Sequence, residues 1–268
     1  MKYNLIKFLK NKFLTLNNFS LIDKSNNFKI IKTHKNNTAV VYCSKKKFYR
    51  KFSKTKSGIE KIISEFNGVN WFIRKIKKKN KEIILDYKVK NNFAFIDLRE
   101  IKGKKIKSWD PFKKNKKYLF KMIKFYNHYL ANEKKSHIHG DLTLDNIIFQ
   151  NRNPYIIDWE FFGASKSVKG YDLAYLILSA VCLPYISNKK FSKEDEKLFR
   201  KLWSLLLKSK FNKAMLLNPF IFFRKKIKKD RILSKSYRLS KSKFFPFITD
   251  KQFQKKLLKI INSLNNEK

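Results

Sequence analysis

The chain has 268 residues, of which 64 are Lys or Arg and 20 are Asp or Glu, so its formal net charge at pH 7 is +44. That length allows a substantial core and suits one two-lobed domain or two small lobes rather than several independent domains. Cys43 and Cys182 lie far apart without metal-ligand spacing, which favours a reduced, cytoplasmic protein. Residues 1–20 alternate Lys with apolar residues and lack the apolar run of a signal peptide.

The excess of positive charge would attract any polyanion in a salt-dependent way. The basic residues are mostly Lys, are spread along the whole chain and accompany many Asn, Ile and Phe residues, a combination typical of an AT-rich coding sequence. No helix-turn-helix, zinc-finger or RNA-recognition signature occurs. The composition therefore does not favour specific nucleic-acid binding, while weak attraction to an anionic membrane surface stays open.

The first part of the chain, residues 1–98, is predicted to form a small β-rich lobe. Apolar and aromatic residues at 38–42 and 47–52 are typical of two strands around a Ser-Lys turn. Residues 58–72 place Ile and Phe at helical spacing, and residues 93–98 alternate as a strand does. We therefore expect a sheet accompanied by one helix.

The remainder, residues 99–268, is predicted to form a mainly helical lobe, because apolar residues recur at helical spacing. One of these helices is nearly all apolar, but it is shorter than a membrane span and is expected to be buried and to end at Pro184. Ser192 followed by acidic residues predicts a capped helix start. The predicted helices cover residues 112–133, 171–183, 192–208 and 251–264, whereas 209–249 give no clear assignment.

Between the first two of these helices, three polar side chains have the order that phosphoryl transfer needs. Asp141 and Asn146 have the D-x-x-x-x-N spacing of a kinase-type catalytic loop, and Asp158 follows an apolar strand. The intervening sequence predicts a hairpin that would bring Asn146 and Asp158 to the same end. The predicted strands of this hairpin are 146–149 and 155–157, and its turn is 151–154.

These residue types suit the chemistry of a magnesium nucleotide. Mg²⁺ prefers oxygen ligands and is usually bound by one or two carboxylates together with phosphate oxygens. Asp158 and Asn146 would supply a charged and a neutral oxygen, while Asp141 would accept the proton of the attacking hydroxyl. Taken singly, polar residues at strand ends are ordinary caps and turn formers, and His139 alone favours a structural role. The complete ordered set favours the kinase-like interpretation.

Three segments carry a resemblance to a known family: His139-Gly140-Asp141 to Asn146, Ile157-Asp158-Trp159-Glu160, and Gly170-Tyr171-Asp172-Leu173-Ala174. They resemble the aminoglycoside phosphotransferase and choline kinase group of small-molecule kinases over about residues 137–175. The resemblance implies an α+β, bilobal protein-kinase-like fold.

The same resemblance implies the roles of individual residues. Asp141 would be the catalytic base, supported in the catalytic loop by His139 and Asp172. Asn146 and Asp158 would be the magnesium ligands. Protein kinases proper are a poorer match, because the Asp-Phe-Gly triplet is replaced by Asp-Trp-Glu and no Ala-Pro-Glu follows.

In register with this family, Lys51 would contact the nucleotide phosphates as a point charge, and Glu65 on the following helix would hold it. Because lysines are abundant, Arg50 and Lys47 remain alternatives, as does an ordinary solvated Lys. The small lobe departs from the family in having no Gly-rich phosphate loop, since the corresponding turn is at residues 33–38. Neither a P-loop nor a dinucleotide-binding glycine pattern occurs elsewhere.

The expected function is transfer of the γ-phosphate of ATP, with Mg²⁺, to a hydroxyl of a small acceptor such as choline, ethanolamine, an amino sugar or a sugar. The acidic and aromatic segment 158–162 would suit an amine-bearing acceptor, although packing of Trp159 and the two Phe residues between the lobes is the favoured interpretation. The alternative is a non-catalytic kinase-like protein that binds a nucleotide, a lipid surface or nucleic acid.

Overall fold

The structure, a computed structural model, describes residues 28–33, 38–77, 83–131, 137–150, 153–164, 169–229 and 251–266. Within these ranges the chain forms two compact units. The first contains the described residues up to Phe66 together with residues 83–100. The second contains Asn67–Lys77 and the described residues from Ile101 onward.

The first unit is built on a five-stranded antiparallel sheet with the order β1-β2-β3-β5-β4. Side chains alternate between the two faces of a strand, so Lys51 and Arg50 point to opposite faces of the sheet. The strands are β1 (Phe28–Thr33), β2 (Ala39–Cys43), β3 (Phe48–Ser53), β4 (Ile84–Lys90) and β5 (Phe93–Arg99).

Both faces of this sheet bury apolar side chains. The face of Arg50 carries a cluster of Val41, Phe52 and Phe95, because Val41 pairs with Arg50 across β2–β3. On the other face, Ala94 and Ile96 pack against apolar residues of the helix that follows β3. Because Arg50 and Lys51 lie on opposite faces, β3 can carry two neighbouring cations without bringing their charges together.

Helix α1 (Lys56–Lys75) follows β3 after a capping residue. The hydroxyl of Thr55 accepts a hydrogen bond from the backbone N–H of Gly58 at 3.1 Å, which satisfies a donor of the first turn. In the first half of α1, Ile62 packs against the sheet. The residues of its second half belong to the second unit, where Trp71 and Phe72 are buried.

The second unit is mainly helical. Its core contains α3, which is buried along nearly its whole length, and which packs with α4 and α2. The helices are α2 (Lys116–Tyr129), α3 (Tyr171–Ile186), α4 (Lys193–Leu207), α5 (Lys213–Leu217), α6 (Pro219–Lys229) and α7 (Lys251–Asn266). Among the described helices, none is both long enough and apolar enough to cross a membrane.

Two small sheets accompany these helices. One has the order β6-β8-β9 and the other pairs β10 with β7, all antiparallel. The strands are β6 (Lys104–Lys105), β7 (His137–Ile138), β8 (Ile147–Gln150), β9 (Asn153–Ile156) and β10 (Gly163–Ala164).

The predicted combination of a β-rich first part and a mainly helical second part is confirmed. The predicted helix at 58–72 is the central part of α1, and the predicted cap of α4 is present. There, Ser192 and Asp195 form a capping box in which each side chain accepts a hydrogen bond from the other residue's backbone N–H. The predicted turn at 33–38 falls largely on residues 34–37, which lie outside the described residues.

Three predicted boundaries were wrong. Asn153 and Pro154 belong to strand β9 rather than to the turn, and Pro154 is tolerated because β9 is an edge strand. Pro184 does not end α3, which continues to Ile186. Proline removes one backbone donor, but the last turn is closed by Ser187 N–H to the Leu183 carbonyl at 3.1 Å.

The third difference concerns the predicted helix at 112–133. Residues Phe112–Asn115 form a 3₁₀ turn, and α2 itself begins at Lys116 and ends at Tyr129. The last part of that prediction, from residue 132, lies outside the described residues.

Candidate active site

A tight turn in the second unit carries the predicted catalytic loop. Strand β7 leads into His139 and Gly140, and Gly140 has a φ of +88°. A Cβ atom on Gly140 would lie 2.8 Å from Cβ and from the carbonyl oxygen of Phe161. Both the left-handed backbone and the close approach therefore require glycine immediately before Asp141.

The backbone of this turn is held by Asp172 in the first turn of α3. Its carboxylate accepts hydrogen bonds from the backbone N–H of His139 at 2.8 Å and of Gly140 at 3.1 Å, and more distantly from the Tyr126 hydroxyl at 3.5 Å. Burial raises the pKa of Asp172 to about 6, although these three donors favour the charged form. Asp172 thus fixes the loop through uncharged donors.

The ring of His139 joins the catalytic loop to the segment that contains Asp158. Its Nε2 lies 2.8 Å from the carbonyl oxygen of Ile157, and its Nδ1 lies 3.3 Å from the backbone nitrogen of Asp141. Both hydrogen bonds form together when the proton is on Nε2, which then donates to Ile157 while Nδ1 accepts from Asp141. His139 is 1% exposed and packs on Trp159 with ring centroids 4.6 Å apart.

Asn146 lies at the start of the β8–β9 hairpin and connects both of its neighbours in the site. Its side-chain Nδ2 donates to the carbonyl oxygen of Asp141 at 2.8 Å. Its own carbonyl accepts from the backbone N–H of Ile157 at 3.0 Å, next to the pairing of Ile147 with Ile156. As the predicted hairpin requires, Asn146 lies opposite the residue that precedes Asp158.

Asp141 and Asp158 are both half-buried. Oδ1 of Asp141 accepts a hydrogen bond from the hydroxyl of Tyr175 at 3.1 Å. Asp158 has a φ of +65°, a left-handed conformation that Asp tolerates better than most residues but that costs about 1 kcal/mol or more. Such conformations persist where the surroundings determine them, as at functional sites.

The donor set fits a magnesium ion. The hydrogen bond from Asn146 Nδ2 fixes the amide orientation, and Oδ1 makes no hydrogen bond to any residue that the structure describes. Oδ1 and the carboxylate of Asp158 are the hard oxygen ligands that Mg²⁺ prefers. No group of three or more His, Cys, Asp or Glu in the described part of the chain could hold a metal ion alone. A magnesium ion would therefore take further oxygens from water or phosphate.

The aromatic residues after Asp158 pack inside the second unit. Trp159 is 1% exposed and donates through Nε1 to the Ile156 carbonyl at 3.0 Å, and Phe161 is also buried. Trp71 of α1 contacts both Trp159 and Phe162, with centroids 5.7 and 5.6 Å apart. The burial of Trp159 and Phe161 therefore favours packing over recognition of an amine as their role.

In the first unit, Lys51 Nζ lies 2.9 Å from Oε2 of Glu65, which is almost fully buried. Arg50 is bound instead by Asp97 through two hydrogen bonds of 2.7 Å. Lys47 lies in the exposed β2–β3 turn. Of these three candidate cations, Lys51 is the one that pairs with an acid on α1.

Two residues that contact the site were not predicted. Tyr175 stands three residues after Asp172 and four after Tyr171, so helical spacing places all three on one side of α3, but no sequence pattern indicates that this side meets Asp141. Gly68 of α1 lies against the Asp158–Phe162 segment, where an added Cβ would be 2.5 Å from Cβ of Trp159. No local pattern could have indicated this contact, because it joins distant parts of the chain.

Residues 104–185 match the model of the phosphotransferase enzyme family, designated APH. This segment contains the loop, the hairpin and most of α3, and the match confirms the resemblance seen over residues 137–175. With the antiparallel sheet and the helical second unit, it agrees with the predicted α+β, protein-kinase-like fold. No curated protein matches the chain.

Several solved structures are similar to this chain at low identity. A streptomycin–ATP–APH(2'')-IIa ternary complex is 14% identical with a TM-score of 0.41, covering 88% of this chain and 99% of that one. APH(3'')-Id from Streptomyces rimosus is 12% identical with a TM-score of 0.45, covering 88% and 97%. An aminoglycoside-3'-phosphotransferase of type VIII is 11% identical with a TM-score of 0.46, covering 78% and 93%.

Proposed function

We propose that the protein is a kinase that transfers the γ-phosphate of ATP to a hydroxyl of a small acceptor. The observation that carries the proposal is the hydrogen-bond network of the catalytic loop. Asn146 binds the carbonyl of Asp141 and the N–H of Ile157, and His139 bridges the same two residues. A base, an amide and a carboxylate are therefore tied to one backbone frame, as phosphoryl transfer requires.

The proposed roles follow from the chemistry of each group. The acceptor oxygen attacks the γ-phosphorus, the bond to the bridging oxygen of ADP breaks, and Asp141 accepts the hydroxyl proton. Asn146 Oδ1 and the Asp158 carboxylate would hold Mg²⁺, which when bound neutralises phosphate charge. Lys51 would contact the nucleotide phosphates, with Glu65 fixing the direction of its ammonium group.

The proposed acceptor is choline, ethanolamine, an amino sugar or a sugar. Because Trp159 and Phe161 are buried, their rings are occupied by packing. Glu160, half-buried like Asp158, is the acid of that segment that is not assigned to Mg²⁺. The proposal further includes a cytoplasmic location and only weak, salt-sensitive attraction of the Lys-rich chain to anionic membranes.

A second candidate is a non-catalytic kinase-like protein that binds a nucleotide, a lipid surface or nucleic acid. It is favoured by the absence of glycine from residues 33–38, where a Gly-rich loop would otherwise cover the phosphates. The intact set of Asp141, Asn146 and Asp158 argues against it.

The test is ATP consumption by purified protein with choline, ethanolamine, amino sugars and simple sugars, in parent and Asp141→Asn. We expect turnover with one acceptor class and a loss of about 10²–10⁴-fold in Asp141→Asn, with ATP binding retained, since only the base is removed. Asp110→Asn, an exposed acid outside the site, is the matched control and should keep parent activity.

Binding of Mg·ATP tests the metal assignment separately. Asp158→Ala should weaken it, and binding as tight as in the parent would contradict the role given to Asp158. A parent protein that binds no nucleotide would overturn the kinase proposal. Nucleotide binding without turnover of any acceptor would favour the non-catalytic alternative.

A further inference from the structure

Tyr175 places a buried hydroxyl against the carboxylate of Asp141. The residue is 3% exposed and lies in a stretch of α3 whose residues are all buried. A hydroxyl removed from water costs free energy unless it forms a hydrogen bond. The phenol meets this need by donating to Asp141 Oδ1 at 3.1 Å.

The neighbouring Tyr171 provides an internal comparison. Its ring stacks on that of Tyr175 with centroids 5.6 Å apart and an interplanar angle of 12°. Its hydroxyl, however, donates to the carbonyl oxygen of Gly140 at 3.4 Å. Two adjacent phenols of α3 therefore approach the same loop, one at the backbone and the other at the side chain of Asp141.

The phenol of Tyr175 keeps its proton under working conditions. Burial raises its pKa well above the ordinary value, and the nearby negative charge of Asp141 raises it further. The phenol therefore acts as a hydrogen-bond donor to the Asp141 carboxylate.

We propose that Tyr175 is a positioning residue that holds the Asp141 carboxylate by one oxygen and so fixes its rotation toward the acceptor hydroxyl. The inference rests on the proposed function, because it assumes that Asp141 is the base. A hydrogen bond to one carboxylate oxygen restricts rotation of the group about Cβ–Cγ. Small errors in the geometry of reacting groups lower rates steeply.

The kinetic test compares Tyr175→Phe with Tyr171→Phe, each of which removes only a hydroxyl. In Tyr175→Phe we expect kcat to fall by about tenfold or more, with the KM for ATP within about twofold of the parent, because orientation of the base is lost while nucleotide contacts remain. Tyr171→Phe should change kcat by less than about threefold, since its partner is a backbone carbonyl. Parent-like kcat in a folded, active Tyr175→Phe would overturn the proposal.

The background of Asp141→Asn adds a second kinetic criterion. If Tyr175 acts through Asp141, the two substitutions share one effect, and Tyr175→Phe should lower the residual rate of Asp141→Asn by less than about twofold. A full additional loss there would show that Tyr175 acts on something else, which would overturn the positioning role.

A spectroscopic test separates this inference from the proposed function, because it needs no turnover. With ¹³Cζ-labelled tyrosine, the signals of Tyr175 and Tyr171 among the 12 tyrosines are identified by their loss in the two Phe variants. Asp141→Asn should shift the Tyr175 signal, because an amide oxygen is a weaker acceptor than a carboxylate, and should leave that of Tyr171 nearly in place.

An unshifted Tyr175 signal in Asp141→Asn would overturn the inference whether or not the protein is a kinase. A shifted signal in a protein that turns over no acceptor would instead support the hydrogen bond and contradict the proposed function. The two failures are thus distinguishable.

Discussion

Buried carboxylates are held by cations in the sheet of the first unit and by uncharged donors in the loop of the second. In the sheet, Asp97 binds Arg50 through two hydrogen bonds of 2.7 Å, and Glu65 binds Lys51 at 2.9 Å. In the loop, Asp172 accepts from two backbone N–H groups and a tyrosine hydroxyl. The same type of side chain thus has two kinds of environment.

The difference follows from what each carboxylate is proposed to do. A cation paired with Asp172 would lie near the catalytic loop, where positive charge competes with the proton that the proposed base Asp141 must accept. Uncharged donors can orient a carboxylate without cancelling its charge. Asp97 and Glu65 are not proposed to bind a proton or a metal. Their ion pairs can therefore hold the side chains of Arg50 and Lys51 in place.

The sheet pair gives the largest expected effect. Asp97→Leu leaves the guanidinium of Arg50, 15% exposed, without its carboxylate and should cost about 3 kcal/mol of unfolding free energy. The double variant Arg50→Met/Asp97→Leu should return to within about 1 kcal/mol of the parent, because hydrophobic replacements avoid the cost of burying charge.

Urea unfolding followed by circular dichroism measures both changes. Glu194→Gln, which removes the acid from the exposed pair with Lys113, is the control and should change the unfolding free energy by less than about 1 kcal/mol. A double variant as unstable as Asp97→Leu would mean that the pair contributes net stability, and the proposed contrast with the loop would lose its energetic basis.

We expect Asp172 to give the unfolding free energy a pH dependence opposite to the one that a salt-bridged acid gives. The pKa of Asp172 is about 6 in the folded protein against 3.8 for an unperturbed Asp, so the folded state binds this proton more tightly than the unfolded chain. As pH falls from 7 to 4, the folded parent therefore gains stability from this group. The gain is roughly 2–3 kcal/mol by pH 4, at about 1.4 kcal/mol per unit of difference between the folded and unfolded pKa.

Asp172→Asn removes this titration, so the quantity to measure is the difference in unfolding free energy between parent and variant at several pH values. All other groups titrate in both proteins and largely cancel. The difference should shift in favour of the parent between pH 7 and 4 and be constant above about pH 7. If the difference in unfolding free energy did not change with pH, the pKa of Asp172 would not be raised in the folded protein.

The two regions also differed in how far the sequence could predict them. The chain has 20 acidic residues but 64 basic ones, so an Asp at the right spacing is informative, whereas a Lys in a strand is not. The hairpin between Asn146 and Asp158 follows from local pattern alone. The partner of Lys51 depended on the family register, because three neighbouring cations satisfied the local pattern equally.

Contacts between distant segments could not be predicted. Tyr175 belongs to a helix that is apolar on all sides, so its periodicity does not reveal which side meets Asp141, 34 residues away. The predicted end of α3 at Pro184 was wrong because the cost of a proline in a helix depends on which backbone amides remain hydrogen-bonded. This depends on the turn that follows.

The smallest expected effect concerns the packing of α1 against the segment after Asp158. It tests the second unit, because uncharged donors can hold the catalytic loop only if the neighbouring segments are fixed. Gly68 lies within α1, and a Cβ there would be 2.5 Å from Cβ of Trp159 and 2.9 Å from Cβ of Phe162. In an open helix, Gly→Ala stabilises by about 1 kcal/mol. Here overpacking should cost about 1–3 kcal/mol, so Gly68→Ala should be destabilising by about 1 kcal/mol net.

Asn67→Ala, at the exposed preceding position of α1, is the matched control and should leave stability unchanged or slightly higher. Because Trp159 directly follows Asp158, a displaced Trp159 should also weaken Mg·ATP binding in Gly68→Ala but not in Asn67→Ala. Urea unfolding and nucleotide titration measure the two effects. If Gly68→Ala stabilised the protein, as it would at an open helix position, α1 would not hold the segment after Asp158. The left-handed conformation of Asp158 would then need another support.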